Sequence, residues 1–271
     1  MSASRLRAVS RLAGFGLLTS VLLACWFAAL PLGAGPRRLL RRWWCKGVLF
    51  LLGVRLDVRG RPSPLLPVLL VPNHVSYLDV PILGALCDAV FVAKAEIADW
   101  PLFGLLARLA RTMFVRRHWR EAKRQRDALA ARLARGESFV LFAEGTSSNG
   151  LDVLPLKTSL LSVAEPDVVD RLIAIQPVVL AYRQLLDGAP IDETNAELYA
   201  WYGEAALLPH LWRVLQLPGV EVAVRFGEPV PSWSVTSRKV LGSELRARLR
   251  AGLEAARLRP RAVLEPRPAL A

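Results

Sequence analysis

Residues 12–35 carry no charged side chain. As a helix at ~1.5 Å per residue, a run of that length is long enough to cross or enter a bilayer. Arg5, Arg7 and Arg11 precede it and Arg37, Arg38, Arg41 and Arg42 follow, so the positive-inside rule assigns no orientation. A basic start and small residues near Ala34 also fit a cleaved signal peptide. The arginine cluster continues into Trp43-Trp44 and a second apolar patch over 48–54. That pattern suits a helical hairpin, or a pair of interfacial helices, at the level of lipid headgroups. A helix packed on the surface of a domain would read the same way. Residues 1–60 are therefore set apart as a membrane-anchoring helical segment, 61–258 as the main domain, and the Pro-rich, basic stretch 259–271 as a tail that is disordered or lies on the membrane.

Charge narrows the partners. A net charge of +13 calls for something anionic, either nucleic acid or lipid. The hydrophobic content of 53% decides between them, because the cations are mostly arginines set among Leu and Ala. An anionic membrane surface is the expected partner, and nucleic acid is not. Cys25, Cys45 and Cys87 contain no CxxC pair, which supports neither a disulfide framework nor a zinc site and makes a reducing compartment the default. With His74, His118 and His210 as the histidines, no metal centre and no bound cofactor are expected.

Residues 54–58 alternate as a strand should, and Arg59-Gly60-Arg61-Pro62 turns the chain toward a second strand at 66–71. Apolar runs at 90–93, 112–115, 139–142, 172–180 and 220–226 read as further strands. Helices are predicted over about 101–109, 121–135 and 243–257. The alternation predicts an α/β fold with a mixed, mainly parallel sheet flanked by helices. Ligands in such sheets sit beyond strand ends, and His74, Arg117 and Glu144 each fall just after a strand.

The first of these strand ends is Val71-Pro72-Asn73-His74-Val75-Ser76-Tyr77-Leu78-Asp79. Pro72-Asn73 stops the strand, and Ser76 offers a helix cap with Asp79 in a capping-box position. On one continuous helix, residues five apart diverge by roughly 140°, so His74 meets Asp79 only across a turn. A carboxylate there would fix the imidazole tautomer while the other ring nitrogen accepts a proton from a hydroxyl. A turn histidine beside a capping aspartate explains the same residues.

Asn73-His74 with Asp79 forms an N-H-x4-D block, and three more follow in order: Phe114-Val115-Arg116-Arg117, Phe142-Ala143-Glu144-Gly145-Thr146-Ser147-Ser148, which is close to F-P-E-G-T-R-S, and Ile175-Gln176-Pro177-Val178. Together the four blocks resemble those of the lysophospholipid acyltransferases, whose familiar bacterial member is 1-acyl-glycerol-3-phosphate acyltransferase. The resemblance implies that His74 is the general base toward a lysolipid hydroxyl, which attacks an acyl thioester directly, with Asp79 orienting it. It also implies that Arg117 binds the acceptor headgroup and that Glu144, Gly145 and Thr146 position its glycerol-like part. Asn73, Ser76, Phe114 and Pro177, as members of the same blocks, are grouped with the substrate-binding residues.

This chain departs from the pattern at Arg116, at Ala143 and above all at Ser147, where an arginine is usual. Losing that arginine removes a phosphate ligand. The run Glu144-Gly145-Thr146-Ser147-Ser148, with Trp100-Pro101-Leu102-Phe103-Gly104 and Trp201-Tyr202-Gly203, looks like the subgroup that acylates lyso-ornithine lipid, an acceptor without phosphate. Residues 187–218 lie outside the blocks and hold Trp201, Tyr202 and Trp212, as an insertion over the acyl groove, as a bilayer contact or as core aromatics. The leading expectation is a membrane-bound O-acyltransferase on the cytoplasmic face of the cell membrane. Acyl carrier protein or coenzyme A would supply the thioester as co-substrate. The acceptor is most broadly 1-acyl-glycerol-3-phosphate, with lyso-ornithine lipid as the alternative. A non-catalytic basic protein binding lipid or nucleic acid is the alternative from another class. A serine hydrolase is not supported, since no Gly-x-Ser-x-Gly elbow occurs.

Overall fold

The structure, a computed structural model, describes residues 3–64, 67–116, 118–165 and 168–258. Arg117 and the tail 259–271 lie outside the described residues.

Helices α1 (Ala3–Ala28) and α2 (Ala34–Leu52) are joined through a single 3-10 turn at Leu30–Leu32. Gly14 faces Leu51 and Gly47 faces Leu18 so closely that a Cβ on either glycine would collide with the leucine, which lets the two backbones approach. Trp44 Nε1 donates to Thr19 Oγ1 at 3.1 Å, and the Arg37 guanidinium lies 5.9 Å from the Trp26 ring centre. The partners of 14, 18, 19 and 26 are 51, 47, 44 and 37, a descending order that makes the pair an antiparallel hairpin. By length and composition the helix over 4–28 is apolar enough to cross a membrane, and α2 runs back alongside it. Leu12, Leu17, Val21 and Phe27 are all more than half exposed on α1.

Not every flanking arginine is available to lipid. Arg7 donates to Gln216 O, and Arg11 donates to Leu215 O, Leu217 O and Pro218 O, with distances of 2.6–3.1 Å. These are the last carbonyls of helix α6 (Leu207–Gln216) and the residues just beyond, groups that a helix cannot satisfy internally. Arg42 does the same for Ala85 O near the end of α3 (Asp79–Leu86), while Arg38 and Arg41 pair with Asp88.

Behind the hairpin lies an eight-stranded sheet in the order β1-β7-β6-β2-β5-β3-β4, with β8 added against β6. The strands are β1 (Val54–Arg59), β2 (Val68–Pro72), β3 (Val90–Lys94), β4 (Met113–Val115), β5 (Phe139–Val140), β6 (Ala174–Leu185), β7 (Val220–Phe226) and β8 (Val230–Pro231). Only the β6–β7 and β6–β8 pairs are antiparallel among the described residues. Val68 and Leu70 of β2 enter the core shared with α2 and α3, whereas Leu69 and Val71 enter the core on the opposite face, which contains Leu129 and Leu133 of α5 (Ala122–Ala134). A strand buried on both faces reads as an uninterrupted apolar run, which is why 68–71 shows no alternation. Burying Leu69 and Leu70 completely stabilises the fold by roughly 1.5–3 kcal/mol each.

Boundaries move near both ends of the chain. β1, which falls within the anchoring segment 1–60 as expected from sequence, pairs in parallel with β7 along its whole length, so the sheet begins at Val54. The closing helix α7 (Arg238–Arg257) starts five residues ahead of the predicted 243, where the Ser237 hydroxyl accepts from Val240 N at 3.3 Å.

Candidate active site

His74 sits in the turn between β2 and α3, and its ring Nδ1 lies 2.8 Å from Asp79 Oδ2. Asp79 is completely buried. The same Oδ2 accepts the backbone N–H groups of Val75 and Ser76 at 2.7 and 3.0 Å, and Oδ1 accepts the Tyr182 hydroxyl at 2.8 Å. A carboxylate is acceptor-only, so its partner Nδ1 carries the proton and Nε2 is left as the basic nitrogen of the ring. The imidazole side chain retains 20% exposure.

The backbone of His74 is pinned as well. Its N–H donates to Glu144 Oε1 at 2.7 Å, and its carbonyl accepts from Ser148 N at 2.9 Å. Its ring stacks on Phe142, with centroids 4.0 Å apart. Glu144 Oε2 accepts from Leu154 N at 2.9 Å. Burial pushes the Glu144 carboxyl up to about 7, against the opposing pull of these two backbone hydrogen bonds.

Several residues expected at the substrate make scaffold contacts in the structure. The Asn73 amide is fully buried and pairs with both backbone groups of Leu180, at 2.9 and 2.7 Å, extending the β2–β6 ladder by one side chain. Ser76 caps nothing through its side chain: its buried Oγ has no hydrogen-bond partner among the described residues, while its N–H is held by Asp79. Glu144 has one oxygen on His74 and the other on Leu154, so it braces the turn. Pro177 lies inside β6, buried and paired with Val71. Gly145, in the left-handed region at φ 74°, and the exposed Thr146 form the rim beside them. Phe114 is half-buried on β4, one strand beyond β3.

The insertion after β6 closes over this turn. Trp201 N donates to Val75 O at 3.0 Å, and the Ser147 hydroxyl donates to the Trp201 carbonyl. The Trp201 indole meets Tyr77 and Trp100 edge-on at 5.9 and 6.4 Å. Tyr77 in turn reaches His210 Nδ1 of α6 at 3.1 Å, and burial lowers that imidazole below its usual range, favouring the neutral form that accepts the hydroxyl. Between the hairpin, α3, α6 and α4 (Phe103–Leu109) lies a cavity of about 440 Å³ walled by apolar side chains such as Phe15, Leu22, Trp44, Leu78, Phe91 and Leu106. Phe91 also stacks on Phe142 behind the His74 ring, and Tyr77 and Leu78 line the cavity, so it borders the His74 turn. Among the described residues, no group of His, Cys, Asp and Glu is placed to hold a metal.

Residues 55–181 match the family model described as Acyltransferase. A lyso-ornithine lipid O-acyltransferase of Brucella abortus (strain 2308) is 39% identical over 84% of this chain and 87% of its own length. The chain belongs to the acyltransferase family. A second relative of the same description, from Rhizobium meliloti (strain 1021), is 38% identical over 93% of this acyltransferase and 89% of its own length. A 1-acyl-sn-glycerol-3-phosphate acyltransferase of Neisseria meningitidis is 33% identical over 67% of the chain and 68% of its own length. The crystal structure of the Thermotoga maritima 1-acyl-sn-glycerophosphate acyltransferase, PlsC, shares the fold at a TM-score of 0.64 and 19% identity, covering 95% of this chain and 99% of that one.

Sequence reasoning did not find two features of the acyltransferase site. Tyr182 lies beyond the predicted end of its strand, and the clue was a hydroxyl continuing an apolar run. The Ser147–Trp201 contact joins residues 54 positions apart, a pairing that no local pattern signals.

Proposed function

We propose that this acyltransferase moves an acyl chain from a thioester, on acyl carrier protein or coenzyme A, to the hydroxyl of lyso-ornithine lipid at the cytoplasmic face of the membrane. The observation that carries the choice of acceptor is the agreement of four relatives described as lyso-ornithine lipid O-acyltransferases, at 36–39% identity, against 33% for those described as acting on 1-acyl-sn-glycerol-3-phosphate. Position 147 supports it locally. A serine hydroxyl engaged with the Trp201 carbonyl stands where the phosphate-lipid pattern has an arginine. This reverses the order of acceptors expected from the four blocks alone.

In this reading His74 Nε2 removes the acceptor's hydroxyl proton as the oxygen attacks the thioester carbonyl carbon. The tetrahedral oxyanion collapses, the C–S bond breaks, and the departing thiolate recovers the proton from the imidazolium. Asp79 keeps the Nδ1–H in place and stabilises the transient imidazolium, and the apolar cavity beside Phe91 takes the acyl chain. The test is a side-by-side assay of the purified enzyme with lyso-ornithine lipid and 1-acyl-glycerol-3-phosphate, each with acyl carrier protein and coenzyme A thioesters. Preference for lyso-ornithine lipid is expected. Preference for the phosphate lipid overturns the acceptor assignment.

A further inference from the structure

His74 is held from both sides by a single strand. Just before it, the Asn73 amide pairs with the backbone of Leu180; five residues after it, Asp79 Oδ1 accepts the hydroxyl of Tyr182. Leu180 and Tyr182 are two apart on β6 and point to the same face. The Tyr182 ring is buried, in the core that contains Tyr199, Val75 and Leu78. Its hydroxyl is raised well above the usual phenol range, by burial first and then by Asp79, so it remains a donor throughout the working range of the enzyme.

Asp79 has two oxygens and unequal loads. Oδ2 receives the imidazole and two backbone N–H groups, while the Tyr182 hydroxyl is the donor at Oδ1. Without the hydroxyl, Oδ1 would be a buried acceptor lacking that partner, and rotation of the carboxyl about its Cβ–Cγ bond would relieve the deficit at the expense of the Nδ1 contact. We propose that Tyr182 is a positioning residue for the reaction, locking the rotamer of Asp79 and through it the tautomer and orientation of His74. The proposal rests on His74 being the base, since Tyr182 touches no reacting atom.

Three proteins and one cycle test it, with lyso-ornithine lipid and an acyl carrier protein thioester as substrates and the full chain in detergent. Tyr182→Phe keeps the ring and removes the donor. A roughly tenfold fall in kcat is expected, with KM for both substrates within about twofold. In an Asp79→Asn background the same change is expected to alter kcat by less than about twofold, because its route to His74 is already cut. Incorporating 3-fluorotyrosine at position 182 retains the ring and a stronger donor, and should keep kcat within about threefold of wild type. This arm stands even if Tyr182→Phe does not fold, and a tenfold loss here overturns the proposal. Unchanged kcat in Tyr182→Phe also overturns it, as does an equal loss in both backgrounds, which would mean only structural damage. His74→Ala separates the two claims: if it stays active, the base reading fails, whereas an inactive His74→Ala beside a fully active Tyr182→Phe removes Tyr182 alone.

Discussion

Glu144 Oε1 lies 2.7 Å from the backbone nitrogen of His74, so the second acidic residue of the site grips the chain of the histidine and not its ring. A buried carboxyl raised from 4.5 to about 7 binds more protons in the folded chain than in the unfolded one between those limits. The stability it contributes is therefore complete below pH about 4.5 and is lost as pH rises through about 7. Glu144→Gln should remove that slope, because the amide does not titrate. It should also cost about 1–3 kcal/mol, because its NH2 end cannot accept one of the two backbone N–H groups. Thermal midpoints of both proteins from pH 4.5 to 8 check this, with their difference expected to shrink as pH rises.

His74→Ala is expected to lower acyl transfer on the order of a thousandfold or more, and Asp79→Asn by a comparable factor, with membrane association of both unchanged. Labelled acyl transfer and membrane sedimentation measure the two properties separately. Full activity in His74→Ala would sink the mechanism.

Ser147→Arg removes the hydroxyl that holds the Trp201 carbonyl and places a guanidinium beside the His74 turn. Acylation of lyso-ornithine lipid should fall about tenfold while use of 1-acyl-glycerol-3-phosphate rises, changing the ratio of kcat/KM for the two acceptors by roughly a hundredfold. An unchanged ratio shows that position 147 does not choose the acceptor.

The antiparallel hairpin puts Ser10 and Arg55, both exposed, at its open end. In a Cys25→Ser background, Ser10→Cys and Arg55→Cys should react with a membrane-impermeant maleimide on inverted vesicles and be protected in intact spheroplasts. Labelling of one position from each side would mean that α1 crosses alone.

The turn around His74 was legible in the sequence because its signals are local. An apolar strand without alternation, a Pro-Asn stop and a carboxylate five residues on need no distant information. The roles of Asn73 and Glu144 were not, since their partners lie 107 and 70 residues away and either residue could equally well face a ligand. The end of β6 was hidden for another reason. Tyr182-Arg183-Gln184 looks like a loop by polarity, but Arg183 is buried by ion pairs with Asp57 of β1 and Glu221 of β7, so the strand runs on to Leu185. Arg7 and Arg11 look like lipid ligands until the carbonyl end of α6 appears beside them.

That last contact has a mechanical meaning. α6 is tied at its far end to the hairpin by Arg7 and Arg11, and the segment leading into it is stitched to the His74 turn through Trp201 and Val75. The apolar hairpin and the His74 turn are thus joined through α6 and the segment before it by hydrogen bonds at both ends. The position of His74 relative to the apolar hairpin is therefore set by the protein's own hydrogen bonds.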